Sequence, residues 1–274
     1  MPPLCGISAL PGRAVGRLMA VRTVLNIGHG SDPGLVRGLN EDYHRVWEYP
    51  YRDGRLLLFG VADGMGGAAA GEYASRRAIQ VLDEAFQRYV ADVAAGKPVI
   101  GLELLVERCV RLANVRLHRE AQEHPSRAGM GSTLTFVVMQ GRQAHLAHVG
   151  DSRAWLVRDG RIDQLTRDHT WVEEQMSLGL LDASAAGGHD WRHMLTRSLG
   201  ADQSIEVDVR SMDVRSGDLL VVSTDGLHGL ITPEEMLAEL TGGRSLQSSV
   251  DFLISRAREL GGPDNITLVT VEVP

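Results

Sequence analysis

Residues 56–67 read LLLFGVADGMGG, an apolar run that ends in Asp63 and Gly64 before Met65 and two further glycines. A buried strand that carries a carboxylate into a turn free of side chains has this composition. The pattern recurs. Asp151 follows QAHLAHVG, Asp225 and Gly226 follow DLLVVST, and Gly262-Pro263-Asp264-Asn265 precedes ITLVTVEV. Four aspartates therefore sit at the ends of apolar segments, where a carboxylate needs a cationic partner. The question is whether they share one.

Outward from this stretch, HRVWEYPY and RLLLFGVA flank Arg52-Asp53-Gly54 and predict two antiparallel strands. TVLNIGHG, near residue 22, predicts a strand before them. From Gly71 to about Ala95 the period turns helical, with Ala74, Ala78, Leu82, Ala85, Phe86, Tyr89 and Val93 on one face. Gly96-Lys97-Pro98 ends that helix. A second helix carries Leu102, Leu105, Val106, Cys109, Leu112, Ala113 and Leu117 on its apolar side, which places Cys109 in the core.

STLTFVVMQ, RQAHLAHVG, RAWLVRDG and RIDQLT then predict strands, and Asp159-Gly160 predicts a two-residue hairpin turn. Such a turn excludes a purely parallel sheet. Residues 166–196 are polar and glycine-containing, helical only near 171–180, and read as a mobile insertion. Two more strands, helices over 233–240 and 246–260, and a closing strand complete the order. It predicts one α+β domain over residues 22–274, with helices packed outside antiparallel sheets. Residues 1–21 read as a loose N-terminal extension, in which Met19 is an alternative start.

Composition narrows the function classes. The chain has 274 residues, 43% hydrophobic and 23% charged, which describes a globular protein with length for a sizeable core. A net charge of −7 argues against nucleic acid or an anionic membrane as the main partner. Two cysteines, Cys5 and Cys109, are too few for a disulfide framework or a thiolate zinc site, so a cytoplasmic setting is expected. No run approaches the about 18 apolar residues that span a bilayer.

Arg37, Glu41, Asp42, Asp63, Asp151, Asp225 and Asp264 supply one guanidinium and a set of hard oxygen donors. Hard ligands without cysteine favour Mg2+ or Mn2+ over zinc. Two such ions about 3.5–4 Å apart lower the pKa of a shared water and orient it for in-line attack at phosphorus. A glycine after Asp63 lets a backbone carbonyl approach an ion, and an arginine offers a planar fork to phosphate oxygens. Each piece has a plainer reading, since Asp-Gly after a strand is most often a turn and a lone arginine a surface residue. His145 and His148 lie in an apolar strand and read as satisfied histidines rather than ligands.

Other hydrolase routes fail. The residue six after Cys5 is Pro11 and six after Cys109 is Val115, so no cysteine is paired with the arginine of a cysteine phosphatase loop. No G-x-x-x-x-G-K-[ST] loop and no G-x-S-x-G elbow is present.

The stretches GLVRGLNED, GVADGMGG, GMGSTLTFVV, AHVGDSRAWLVRDGRIDQLTRDHT, LTRSLG, DLLVVSTDGL and GGPDNITLV, in this order from Gly34 to the C-terminus, resemble the type 2C protein phosphatases in their compact bacterial form. These are metal-dependent protein serine/threonine phosphatases. The resemblance implies a four-layer α-β-β-α sandwich, two antiparallel sheets flanked by pairs of antiparallel helices. It implies that Asp63 bridges two Mn2+ or Mg2+ ions, one of them also bound by the Gly64 carbonyl and the other by Asp225 and Asp264. Glu41 matches a residue that contacts metal through water, with Asp42 beside it, and Asp151 one that binds a third ion with Asp225. Arg37 matches the phosphate-holding arginine, and residues 166–196 the flap beside the site. The implied reaction is hydrolysis of phosphoserine and phosphothreonine in proteins, opposing a serine/threonine kinase, by a monomer. The alternative is a pseudophosphatase that binds without turnover. Met65 departs from the histidine that many eukaryotic members carry after Asp-Gly. A thioether donates no proton, so a water or another residue must protonate the leaving group.

Overall fold

Strand alternation decides which way each side chain of the 56–67 stretch faces. The computed structural model describes residues 25–52 and 54–274; the expected N-terminal extension, Met19 and Cys5 lie outside them. Residues 56–65 belong to β3 (Gly54–Met65), which pairs with β2 (Asp42–Tyr51) in a long hairpin. Leu56, Leu58 and Ala62 point to one face of β3, and Leu57, Phe59 and Val61 to the other. Both sets are fully or almost fully buried, which explains the unbroken apolar run.

One sheet holds β2, β3, β5 (Leu134–Gln140), β6 (Gln143–Val149) and β9 (Asp208–Asp213), with the short β4 (Gly131–Ser132) beside β3. The second runs β1 (Ile27–Asp32), β11 (Ile266–Glu272), β10 (Leu219–Ser223), β7 (Arg153–Arg158) and β8 (Arg161–Gln164). All pairings are antiparallel. The Asp159-Gly160 turn joins β7 to β8 with both residues at positive φ, 52° and 72°, as a type I′ hairpin requires.

Between the sheets pack Leu57, Phe59, Val61, Val137, Leu146, Val222, Val269 and Val271. Outside the first sheet lie α1 (Ala68–Ala94) and α2 (Leu102–Glu123), whose Ala74, Ala78, Leu82, Phe86, Val106, Cys109 and Leu117 meet Leu56, Leu58 and Phe136. Outside the second lie α6 (Pro233–Leu240) and α7 (Leu246–Glu259), whose Met236, Val250 and Leu253 meet Val221 and Leu268. The result is the four-layer α-β-β-α sandwich. Short helices α3 (Trp171–Ser177), α4 (Ala183–Ala186) and α5 (Asp225–His228) complete the chain. Thr232 and Glu235 close a capping box on α6, and Ser245 caps α7.

One sequence expectation for α2 fails. Leu112 is 40% exposed, and Val110 and Asn114 take the buried positions of α2 instead. The Asn114 side chain accepts from Gly200 N–H at 2.9 Å and donates to Asp202 O at 3.0 Å, so its burial is compensated. Cys109 is core, and burial pushes its thiol up to about 12.

Gly60 sits opposite Phe136 in the β3–β5 register, and a Cβ there would lie 2.4 Å from the Phe136 Cβ and 2.7 Å from Thr135 O. Phe136 meets Phe86 of α1 edge to face at 6.4 Å. We expect Gly60→Ala to cost about 1–3 kcal/mol by overpacking. Calorimetry should register about 2–4 °C of Tm per kcal/mol for a chain of this size. An unchanged Tm would contradict this packing.

Candidate active site

The alternation that buries Leu57, Phe59 and Val61 between the sheets places Asp63 on the same face at the strand's end. Its register partner on β2 is Asp42. Asp42 is 6% exposed and its Oδ2 accepts from Thr224 Oγ1 at 2.8 Å and Thr267 Oγ1 at 2.6 Å, tying β2 to the second sheet. Asp225 opens α5 directly after β10, Asp264 precedes β11, and Asp151 lies between β6 and β7. The strand ends of both sheets thus deliver the predicted aspartates to one end of the inter-sheet layer.

Backbone contacts hold the set. Asp63 N–H donates to Thr133 Oγ1 at 2.9 Å, Thr133 N–H returns to Asp63 O at 2.8 Å, and Thr133 Oγ1 meets Ser152 Oγ at 2.7 Å. Gly64 N–H donates to Glu41 O at 3.1 Å, and a Cβ on Gly64 would lie 2.0 Å from Gly71 O, so only glycine fits. A Cβ on Gly71 would lie 2.1 Å from Glu41 Oε1, which places the Glu41 carboxylate against the first turn of α1, where the helix dipole favours negative charge. Asn265 Oδ1 accepts from Glu41 N–H at 2.7 Å while its Nδ2 donates to Pro33 O and Leu39 O, both at 3.0 Å. This fixes the loop that carries Arg37. Arg37 Nη2 reaches Asp264 Oδ2 at 2.7 Å with half its side chain exposed.

Electrostatics separate this cluster from ordinary turns. Burial and the charges of Asp42, Asp225, Asp151 and Asp264 push Asp63 well above the usual carboxylate range. Burial raises Asp42 to about 7, and burial with the Asp225 charge raises Asp151 to about 8. Burial also raises Glu41, and burial with the Asp264 charge raises Asp225. Glu41 Oε1, Asp42 Oδ1 and Asp225 Oδ1 are buried without a hydrogen-bond partner. Among the described residues no three His, Cys, Asp or Glu side chains converge tightly enough to ligate one ion by themselves. Mg2+ and Mn2+ are satisfied by fewer carboxylates, with water completing the shell. Orphaned hard oxygens that repel one another therefore fit divalent cations.

Other residues enter that the sequence left without a role. Thr224 and Thr267 hold the Asp42 carboxylate, Thr133 and Asn265 hold the Asp63 and Glu41 backbones, and His193 of the 166–196 segment brings Nδ1 within 3.7 Å of Asp225 Oδ2. Asn265 stands beside Asp264, but its partners lie more than 220 residues away. Met65 lies over Gly131. His148 is 1% exposed and satisfied, with Nδ1 meeting Thr135 Oγ1 at 2.8 Å and Nε2 meeting Arg167 O at 3.0 Å. The 166–196 segment closes at its root through Trp171 N–H to Met194 O and Thr196 N–H to His169 O, both 2.8 Å. Trp171 stacks on His189 at 4.9 Å and meets Trp191 edge-on at 4.8 Å within it. A cavity of about 660 Å3, lined by Tyr51, Arg55, Met139 and Gln143, lies at the far end of the β2–β3 hairpin and includes none of these carboxylates.

A family model described as protein phosphatase 2C matches residues 37–266. The chain belongs to this family. The phosphatase is 34% identical over 242 residues to the serine/threonine phosphatase stp of Listeria welshimeri, covering 88% of this chain and 93% of that protein. It is also 34% identical to the serine/threonine protein phosphatase PstP of Mycobacterium tuberculosis, covering 92% of this chain and 46% of PstP. The crystal structure of the M. tuberculosis PstP/Ppp phosphatase superposes with a TM-score of 0.79 at 33% identity, over 91% of this chain and 98% of that one. The catalytic domain of PstP in complex with two manganese ions superposes with a TM-score of 0.74 at 33% identity, over 90% of this chain and 97% of that one. The protein is thus a serine/threonine phosphatase of a metal-dependent family. No helix among its described residues is long and apolar enough to cross a membrane.

The raised carboxylates of the phosphatase give a signed pH dependence. Asp42 and Asp151, near 7 and 8 against an ordinary 3.8, keep protons in the folded protein that the unfolded chain releases. Their stabilisation is present below about pH 4 and is lost as pH rises towards about 8. The Tm of chelator-treated protein is expected to fall across that window in scanning calorimetry, and Mn2+ to raise Tm more at its upper end. A Tm that climbs with pH in chelator would contradict the burial of these carboxylates.

Proposed function

We propose that this phosphatase hydrolyses phosphoserine and phosphothreonine in proteins, opposing a serine/threonine protein kinase, with two Mn2+ or Mg2+ ions and a third, weaker one. The observation that carries the reading is the gathering of Glu41, Asp42, Asp151, Asp225 and Asp264 around Asp63, with Arg37 beside them. Asp63 would bridge the two ions, the Gly64 carbonyl would join it on one, and Asp225 and Asp264 would hold the other. Asp151 with Asp225 would hold the third, and Glu41 would act through water, with Asp42 behind it. When bound, such ions lower the pKa of a shared water and polarise phosphoryl oxygens. Arg37 binds substrate phosphate through its planar fork. Its exposed position on the loop pinned by Asn265 lets it swing between Asp264 and an incoming phosphate. Asp42 orients its neighbours by fixing the end of β2 against Thr224 and Thr267. The flap at 166–196 borders the site through His193 and would contact the protein substrate. One catalytic domain over residues 22–274, monomeric and cytoplasmic, completes the reading.

The test is hydrolysis of p-nitrophenyl phosphate and a phosphothreonine peptide with Mn2+ or Mg2+. Activity should vanish with chelator, and inactivity of folded protein with both ions would leave only a binding module. Asp63→Asn is expected to fold normally and to lose more than the about 10–100-fold that an outer-shell partner is worth. Full activity in that variant would refute the bridging role. Arg37→Ala should raise KM by about tenfold or more, as for a lost charged hydrogen bond. A loss confined to kcat would refute phosphate binding.

A further inference from the structure

His169 stands outside the carboxylate set, yet it is 3% exposed at the root of the flap, where Thr170 caps α3. It takes both polar groups of Gly150. Gly150 N–H donates to His169 Nδ1 at 3.0 Å, and His169 N–H donates to Gly150 O at 2.8 Å. Gly150 has φ +108°, and a Cβ there would lie 2.6 Å from the Thr133 Cβ, so the turn is pressed against the residue that holds the Asp63 backbone. The next residue is Asp151. On its other side, His169 O accepts from Thr196 N–H at 2.8 Å and closes the flap root.

The bond to Nδ1 makes that atom the acceptor and leaves the ring proton on Nε2. Nε2 faces Asp208 Oδ2 at 3.3 Å without the alignment of a hydrogen bond, and the His148 ring lies 4.7 Å away. A second strap runs alongside, with Arg153 Nε and Nη2 donating to the two oxygens of Asp168 at 2.9 and 2.8 Å. The segments 150–153 and 168–170 are therefore joined by directed bonds, and His169 contributes the bond nearest Asp151. A histidine serving only as core filler would not need an acceptor at Nδ1.

We infer that His169 is a positioning residue: its Nδ1 holds the Gly150 turn so that the Asp151 carboxylate faces Asp225, and it anchors the flap root to the same point. The affinity of the weaker ion then depends on that acceptor. This rests on the role proposed for Asp151.

The experiment compares wild type, Asp151→Asn, His169→Leu and His169→Asn as full chains, reading Mn2+ binding by titration calorimetry and fold by circular dichroism and Tm. His169→Leu is expected to keep the two tight ions and to lose about 10–100-fold in affinity for the weaker one. His169→Asn, whose Oδ1 takes the place of Nδ1 as acceptor, should restore it. Should His169→Leu fail to fold, His169→Gln, with its acceptor one bond further out, replaces it as the variant expected to lose affinity. Wild-type affinity in a folded His169→Leu, or an Asn variant no better than Leu, would overturn the inference alone. Saturation of wild type at two ions, or unchanged binding in Asp151→Asn, would overturn the role of Asp151 and the inference with it.

Discussion

Several carboxylates at one end of the layer between two sheets repel one another in a medium that screens them poorly, and the rest of the molecule is arranged around that repulsion. The same layer is wholly apolar in its middle, where Leu57, Phe59 and Val61 pack against Val222, Val269 and Val271. The carboxylates gather at its end, where each strand runs out of partners and turns. The like charges are tolerable because cations can offset them. Their position is tolerable because the strand ends are open on one side.

Neutral groups do the holding. Thr224 and Thr267 donate to one Asp42 oxygen, Thr133 brackets the Asp63 peptide, and Asn265 links the Glu41 and Arg37 segments. A cationic side chain in these places would neutralise the carboxylates and compete with metal. Hydroxyl and amide donors fix geometry while leaving the charge available. Arg37 is the exception, and it sits at the rim with half its side chain in solvent.

Much of this was legible in the sequence. Apolar runs ending in Asp-Gly located the strands and the carboxylates together, and helical periodicity gave α1, α2, α6 and α7. What escaped did so for physical reasons. α5 has four residues, too few for a period to show. Leu112 looked buried because an apolar residue next to an apolar stripe carries no sign of which side it faces. The partners of Asp42 lie 182 and 225 residues away, and threonine has no periodic signature. His169 was hidden for the same reason, since its acceptor role exists only once β6 and the flap root meet.

The β2–β3 hairpin runs from Asp42 and Asp63 to Tyr51 and Gly54, about 30 Å along the strands. Tyr51 and Gly54 share their cavity with Gly141 and Pro274, so the last residue emerges at the pole opposite the carboxylates. A tether joined after Pro274 would therefore leave the mouth of the site facing outward. Fixed to a surface by that end, the molecule would present its charged pole to anything passing in solution.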